Sequence, residues 1–124
     1  MPPAAPGPTL QPRLRFPFAG REAFGPGKAQ LLCHIAATGS IRAAATELGM
    51  SYQRAWQLVQ GMNRLFREPL VSKSRGGGTR GGAQLTPTGE EVLTRYTRME
   101  AACGRATRTD WQALLRLLAG ARRP

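Results

Sequence analysis

The sequence predicts a mainly helical fold in which three short helices precede a β-hairpin and a longer C-terminal helix. Three observations predict it. Apolar residues recur at helical spacing along successive segments, Gly49 separates two short helical patterns, and "RGGGTRGG" lies between two short strand-like stretches. Three helices, of which the last two are joined by a glycine-containing turn, followed by a hairpin, make a winged helix-turn-helix: a three-helix core plus a β-hairpin wing.

Length and charge limit the classes of protein that this chain can belong to. Its 124 residues fit one domain with a modest core. Eighteen lysines and arginines against seven acidic residues give a net charge of +11, which favours a polyanionic partner such as nucleic acid. Between Arg64 and Arg80 the only acidic residue is Glu68, so we expect the strongest positive potential there.

Residues suited to catalysis or metal binding are few. Cys33 and Cys103 are the only cysteines, no CxxC pair occurs, and His34 is the only histidine. His34 lies in an apolar helical stretch, where a packed structural role is expected. No cluster offers a nucleophile with its base or a set of metal ligands, so we expect no enzymatic activity, no metal and no cofactor.

The N-terminal region is predicted to be a tail and a short strand. Residues 1–12 are rich in proline and glycine and are expected to be disordered. The chain shows neither a signal peptide nor a long apolar run, so we expect a cytoplasmic protein. Leu14, Phe16 and Phe18 alternate with other residues, which predicts a strand that Pro17 restricts to a sheet edge, before "GREAFGPG" turns the chain.

Two short helices come next. Apolar spacing predicts the first over residues 28–37, with an end at Gly39. The second begins at Ser40, whose hydroxyl can accept from first-turn amides, and ends at Gly49, where a left-handed residue is favoured. The predicted buried residues of the two helices are Leu31, Leu32, Ile35, Ile41, Ala44, Ala45 and Leu48.

The third helix is predicted from its N-cap, Ser51, to Glu68, where the following Pro69 ends it. Its buried face is predicted to consist of Ala55, Leu58, Val59, Met62, Leu65 and Phe66. Its opposite face carries Gln53, Gln57, Gln60 and Arg64, with Tyr52, Arg54 and Trp56 on the flanks.

The wing is predicted from "LVSKS" and "AQLT", which bracket a glycine-rich tip. The tip is expected to be mobile until it binds a partner, and a floppy solubilising loop is the alternative interpretation. Residues 76–81 also match G-x-G-x-x-G, but a dinucleotide site requires a helix directly after that motif, so this interpretation is rejected.

The C-terminal helices are predicted to form a dimer interface. A fourth helix is expected from Thr86 and Pro87 to about Cys103, and a capping box at Thr109 and Gln112 predicts the start of a last one. A three-helix core cannot cover all their apolar residues, which favours a two-fold dimer over burial in the core alone. The predicted interface residues are Val92, Tyr96, Met99, Cys103, Trp111, Leu114, Leu115 and Leu118.

The third helix is the predicted DNA-reading element, because a short second helix can brace it while its polar face enters the major groove. Gln53 and Gln57 can pair with adenine, and Arg54 can reach guanine or a phosphate. Solvation of a surface face is the alternative for each, and Trp56 either packs in support of the wing or presses against DNA. The predicted DNA-contacting residues are Ser40, Arg42, Ser51, Tyr52, Gln53, Arg54, Trp56, Gln57, Arg64, Lys73, Arg75, Thr79 and Arg80.

The segment "GSIRAAATELGMSYQRAWQLVQGMN", with "REPLV", the glycine-rich stretch and "LTPTGEEVL", resembles the N-terminal domain of ModE-type molybdate-responsive regulators, whose helix-turn-helix is similar to that of LysR-type regulators. The resemblance covers roughly residues 27–102. It implies a transcriptional regulator that binds double-stranded DNA at a palindromic operator as a homodimer, in the cytoplasm and associated with the bacterial nucleoid.

The ModE-type family also carries C-terminal oxyanion-binding domains, which no part of this sequence resembles. We therefore expect a stand-alone DNA-binding form that does not bind molybdate. The expected organisation is a tail over residues 1–12, a winged helix-turn-helix domain over 13–86, dimerisation helices over 87–120 and a basic tail over 121–124. An oxyanion-responsive sensor and a sequence-neutral architectural DNA-binding protein are the alternatives.

Overall fold

The computed structural model describes residues 7–18, 22–73 and 82–120. Its helices there are α1 (Pro26–Thr38), α2 (Ile41–Leu48), α3 (Tyr52–Leu65), α4 (Pro87–Ala106) and α5 (Arg108–Leu117). Two antiparallel strand pairs accompany them: β1 (Phe16–Pro17) with β2 (Ala23–Phe24), and β3 (Val71–Lys73) with β4 (Ala83–Leu85). This order confirms the predicted winged helix-turn-helix, with β3 and β4 as the wing. Predictions for residues 1–6, the wing tip over 74–81 and the tail over 121–124 lie outside the described residues.

The turns on either side of α2 have the predicted geometry. Gly39 and Gly49 both have a φ of 72°, in the left-handed region that favours glycine. The Ser40 hydroxyl accepts a hydrogen bond from the Ala43 amide at 3.0 Å. α1 begins at Pro26, two residues before its predicted start, because a proline is suited to the first helical position.

The core lies where α1, α2 and α3 meet the wing and the first half of α4. Ala44, Ala45 and Ala55 are fully or almost fully buried, and their small side chains let the helices approach closely. The remaining core residues are Phe24, Ala29, Leu31, Leu32, Ile35, Val59, Met62, Leu70, Val71, Ala83, Leu85 and Tyr96. Of the predicted core residues, those only partly buried against this cluster are Ile41, Leu48, Leu58, Leu65 and Phe66.

α3 ends at Leu65, so the predicted end at Glu68 is wrong. Phe66 has extended backbone angles, φ −103° and ψ 163°. Its ring meets the Phe24 ring edge-on, with centroids 5.8 Å apart. The chain therefore leaves the helical conformation at Phe66, before Pro69, at the point where the Phe66 ring packs against Phe24.

β2 does not follow from the local sequence pattern, which predicts only a turn after Phe18. Phe16 pairs with Phe24 across the two strands, and their rings stack with centroids 5.5 Å apart. Pro17 lies within β1, which pairs with no strand other than β2 in the described part of the chain, as expected for an edge strand. A strand of two residues is too short to show a period of its own.

The junction between α4 and α5 differs from its prediction. α4 extends to Ala106, beyond the predicted end near Cys103, and α5 begins at Arg108. The Thr107 hydroxyl donates a hydrogen bond to the Cys103 carbonyl oxygen at 2.6 Å, which satisfies a carbonyl at the end of α4. The predicted capping box at Thr109 is wrong, because that residue lies within the first turn of α5.

Tyr96 is buried in the core of this chain. Its side chain is 3% exposed, its ring centroid lies 5.3 Å from that of Phe24, and its hydroxyl donates to the Leu14 carbonyl oxygen at 2.7 Å. Burial raises the pKa of Tyr96 above its ordinary value, Glu100 raises it further, and Arg13 opposes both. The prediction that Tyr96 contributes to a dimer interface is therefore wrong, since residues of its own chain already cover it.

Candidate nucleic-acid interface

The N-terminal half of α3 presents an exposed polar surface, which we call the α3 polar surface. Its members are Ser51, Tyr52, Gln53, Arg54, Trp56 and Gln57, all of them exposed. The opposite side of the helix is buried through Ala55, Val59 and Met62. Trp56 keeps 46% of its surface exposed and is not among the residues that pack against the core. The structure thus brings the residues predicted to contact DNA from this helix onto one free side.

The start of α3 is capped by a side chain and leaves its first amides without a partner in the helix. The Ser51 hydroxyl accepts a hydrogen bond from the Arg54 amide at 3.0 Å, as the sequence predicts for an N-cap. The preceding amides, those of Tyr52 and Gln53, have no acceptor within the helix. Such amides, together with the helix dipole, favour a phosphate group at this end of α3.

Arg42 and Tyr52 form a contact that links the starts of α2 and α3. The guanidinium carbon of Arg42 lies 4.3 Å from the centroid of the Tyr52 ring. A cation over an aromatic face is attracted by the ring quadrupole, and the contact limits the positions that the Arg42 side chain can take. Both residues are predicted to contact DNA. Their contact with each other does not follow from the sequence, because they lie in different helices.

The wing is attached to the start of α2. The Ala83 amide donates to the Gly39 carbonyl oxygen at 2.9 Å, and Ser40 forms a single antiparallel bridge with Gly82. Ser40 is accordingly half-buried, and its hydroxyl already serves as the cap of α2. Lys73 is exposed at the end of β3. The predicted wing contacts Arg75, Thr79 and Arg80 lie outside the described residues.

Asn63 connects α3 to the first strand of the wing, a role that the sequence pattern does not indicate. Its side-chain oxygen accepts from the amides of Leu70 at 2.8 Å and Val71 at 3.2 Å. Its side-chain nitrogen donates to the Val71 carbonyl oxygen at 3.1 Å. The only local signal is a polar residue beside the apolar face of the helix. These three bonds fix where the wing leaves the end of α3.

In the described part of the chain, the cationic side chains of the predicted DNA interface form no salt bridges. The salt bridges there join Lys28 to Glu22, His34 to Glu47 and Arg95 to Glu91. None of them involves the described cationic residues of the predicted interface, which are Arg42, Arg54, Arg64 and Lys73. Arg64 is exposed near the other end of α3, about 15 Å along the axis from Arg54.

A further basic region lies beside α3. A groove there is lined by Arg13 and Arg15 of the N-terminal segment, Lys28 of α1 and Arg54 of α3, together with Glu22. Arg13 and Arg15 were not predicted to contact DNA. The only signal for them in the sequence is the alternation in "RLRFPF", which predicts a strand.

An apolar surface remains uncovered on the C-terminal helices. Met99 is 49% exposed, Leu114 53%, Leu117 78% and Leu118 41%. Leu117 was not among the predicted interface residues. Of those that were, Cys103, Trp111 and Leu115 are half-buried, and Val92 packs partly against the core. Four large apolar side chains exposed near one end of the chain are unusual for a surface that faces only water.

Two classes of feature are absent from residues 7–18, 22–73 and 82–120. No group of three or more His, Cys, Asp or Glu side chains there is arranged to hold a metal ion. No helix in these ranges is both long and apolar enough to cross a lipid bilayer.

Comparison with known proteins relates the chain to DNA-binding regulators. The family model described as "Bacterial regulatory helix-turn-helix protein, lysR family" matches residues 27–90. The molybdenum-pterin-binding protein MopB of Rhodobacter capsulatus is 48% identical over 77 residues, which are 62% of this chain and 28% of MopB. The DNA-binding transcriptional dual regulator ModE of Escherichia coli K12 is 41% identical over 71 residues, 57% of this chain and 27% of ModE. The chain thus spans less than a third of the length of these relatives.

Solved structures share the fold. The DNA-binding domain of CbnR, solved in complex with DNA, superposes with a TM-score of 0.57 at 22% identity, covering 71% of this chain and 95% of that domain. Full-length CbnR complexed with its target DNA superposes with a TM-score of 0.54 at 21% identity, covering 68% of this chain and 27% of CbnR. At this level of identity the likeness is one of fold.

Proposed function

The chain belongs to the LysR family of bacterial regulatory helix-turn-helix proteins, and on this premise we propose that it is a transcriptional regulator that binds double-stranded DNA. In this proposal the protein acts as a homodimer on a palindromic operator. It works in the cytoplasm, associated with the bacterial nucleoid, as a binding protein and not as an enzyme.

The observation that carries the proposal is the exposed α3 polar surface. α3 buries its apolar side against the core and leaves Gln53, Arg54 and Gln57 exposed on the other side. The major groove of B-DNA is about 12 Å wide and admits one α-helix. Glutamine can pair bidentately with adenine, and arginine with guanine, so these residue types are suited to reading bases.

The residues around α3 support a backbone-contacting role. In the proposal, Ser40 and Arg42 at the start of α2 and Lys73 of the wing contact phosphates, as do the wing-tip residues Arg75, Thr79 and Arg80. The Arg42 side chain is already restrained over Tyr52, so less conformational entropy would be lost on binding. Contacts of this kind position a protein on DNA without selecting the sequence.

The exposed apolar side chains of α4 and α5 support dimerisation. A second copy packed there would bury Met99, Leu114 and Leu118, which are otherwise in water. Two copies related by a two-fold axis would place their α3 helices about 34 Å apart, so that they read half-sites one helical turn apart. The two half-sites would then form a palindrome.

Selection from random DNA tests the proposal. We expect the purified protein to enrich a two-fold symmetric motif, and its binding to weaken steeply with salt. Gln57→Ala is expected to lose about 1–3 kcal/mol of discrimination at one base position in each half-site. The matched control Gln112→Ala, which shortens an exposed glutamine on α5, should leave the motif unchanged. If random DNA competes for the protein as well as the enriched motif does, the sequence-neutral architectural alternative is favoured instead.

We further propose that DNA binding does not depend on molybdate, although the name of the Rhodobacter capsulatus relative MopB refers to molybdenum. In this proposal, the surface that binds DNA consists of α2, α3 and the wing, and it binds without an oxyanion. Calorimetry with molybdate and with tungstate should show no heat of binding, and operator affinity should be the same with either present. A measurable heat together with a change in operator affinity would establish the sensor alternative.

A further inference from the structure

The groove beside Arg54 lies on the flank of α3 away from the wing. Successive residues of an α-helix are rotated by about 100°, so Tyr52 and Arg54 lie about 200° apart around the axis of α3. Tyr52 contacts Arg42 at the start of α2, where the wing is also attached. Arg54 therefore lies on the other flank, and it lines the groove that Arg13 and Arg15 also line.

Three contacts fix the position of residues 13–18 beside this groove. We call this segment the N-terminal arm. Leu14 accepts a hydrogen bond from the Tyr96 hydroxyl at 2.7 Å. The stem of Arg15 lies against Gly25, since a Cβ placed on that glycine would be 3.4 Å from Arg15 Cγ. Phe16 stacks on Phe24. The arm is thus anchored by its backbone and apolar side chains, while Arg13 and Arg15 remain exposed.

The groove carries an excess of positive charge. Its cationic lining residues are Arg13, Arg15, Lys28 and Arg54, and its one acidic lining residue is Glu22. Glu22 is paired with Lys28, at 3.2 Å between Oε1 and Nζ. In the described residues, none of the three arginines forms a salt bridge. Three arginines around one open groove create a positive potential that attracts an anion.

A helix in the major groove has a phosphate strand on each of its two sides. In the proposed function, the start of α2 and the wing contact the strand on the Tyr52 side of α3. The strand on the other side would run past Arg54, along the groove that the N-terminal arm lines. Its repeating negative charges match the excess positive charge there.

We infer that Arg13 and Arg15 of the N-terminal arm bind the phosphate backbone on the Arg54 side of α3. The inference rests on the proposed function and adds a second backbone-contacting surface to it. The two arginines contact phosphates and not bases, because they lie beside α3 and not on its outer face. They contribute affinity for all DNA sequences alike.

The test measures the salt dependence of operator binding for the full chain and for the double variant Arg13→Ala/Arg15→Ala. Removing one arginine that neutralises a phosphate lowers the slope of log K against log salt by about 0.9. The double variant lacks four arginines in the proposed dimer, so its slope should be less steep by about 3.6. The enriched motif should stay the same. Arg13→Lys/Arg15→Lys, which retains both charges, should restore most of the slope.

A matched control separates this local effect from the reduction in net charge. Arg98→Ala/Arg105→Ala also removes two exposed arginines, but from α4. It should leave the slope nearly unchanged. If both double variants lower the slope equally, net charge accounts for the effect and the inference is overturned.

Hydroxyl-radical footprinting locates the contact. Compared with the unmodified chain, the arm variant should lose protection of sugars on one strand at the flank of each half-site, and keep protection elsewhere. An unchanged footprint and slope in the arm variant, with steep salt dependence in the unmodified chain, would overturn the inference alone. Flat salt dependence in the unmodified chain would overturn the proposed function itself.

Discussion

Gly89 and Gly104 both lie in α4, yet their surroundings differ completely. A Cβ built on Gly89 would lie 2.1 Å from the carbonyl oxygen of Leu70, an impossible approach to a backbone atom. Around Gly104 there is nothing within 4 Å of that position. The missing side chain of Gly89 lets the first turn of α4 pack against the residue that precedes β3. Gly104, by contrast, only lowers the helix propensity of its segment.

The two glycines predict opposite effects of the same substitution. Gly89→Ala should lower the free energy of unfolding by about 1–3 kcal/mol, because α4 must move away from Leu70. Gly104→Ala should raise it by about 0.5–1 kcal/mol, because alanine is the better helix former. Thermal unfolding followed by circular dichroism measures both. Similar melting temperatures for the two variants would contradict the close approach at Gly89.

Among the elements, the wing is joined to α3 through the side chain of Asn63. Asn63 satisfies the amides of Leu70 and Val71 and the carbonyl of Val71, so it takes the place of a neighbouring strand at the start of β3. The other end of the wing is joined to Gly39, at the start of α2. The direction in which the wing leaves the core is therefore determined at both of its strands.

Replacing Asn63 should destabilise the chain and weaken DNA binding together. Asn63→Ala leaves three backbone groups without their partner, which should lower the free energy of unfolding by about 2–4 kcal/mol. It should also weaken binding to specific and random DNA alike, since the wing loses its orientation. Urea unfolding and a binding titration measure the two effects. The control Gln60→Ala, on the same helix, should change stability by less than about 0.5 kcal/mol.

The molecule as a whole combines a basic region with an apolar region. One group of basic residues lies around α3, the start of the wing and the N-terminal arm, whereas Met99, Leu114, Leu117 and Leu118 are exposed on the C-terminal helices. Under the proposed function, the first region binds DNA and the second binds another copy of the chain. Dimerisation then doubles the number of phosphates that one assembly binds, without any new DNA-binding surface on the chain.

A charge placed within the apolar region should separate the dimer. Leu114→Glu removes a large apolar side chain from both copies, each worth about 1.5–3 kcal/mol when buried, so the dissociation constant should rise by about 100-fold or more. Gln112→Glu adds the same charge to the same helix at a polar position and should have little effect. Light scattering across a concentration series gives the mass. A monomeric unmodified chain at all concentrations would contradict the proposed dimer.

The sequence by itself determined the order of the helices and the wing, and the starts of α2, α3 and α4. The caps at Ser40, Ser51 and Thr86 and the left-handed Gly39 and Gly49 depend on residues within one helical turn, so their chemistry is visible locally. The exposed polar side of α3 follows in the same way from a period of 3.6 residues. Fold class and the candidate reading surface could therefore be predicted without a structure.

Only the tertiary structure decided which distant residues meet. It buried Tyr96 against the N-terminal arm, 82 residues away from its hydrogen-bond acceptor Leu14. It packed Phe66 against Phe24 where α3 ends, and it brought Arg13 and Arg15 to the groove that Arg54 also lines. Such contacts depend on how the helices and strands pack in three dimensions. A periodic pattern along the chain indicates which side of an element is buried, but it does not indicate which residues pack against that side.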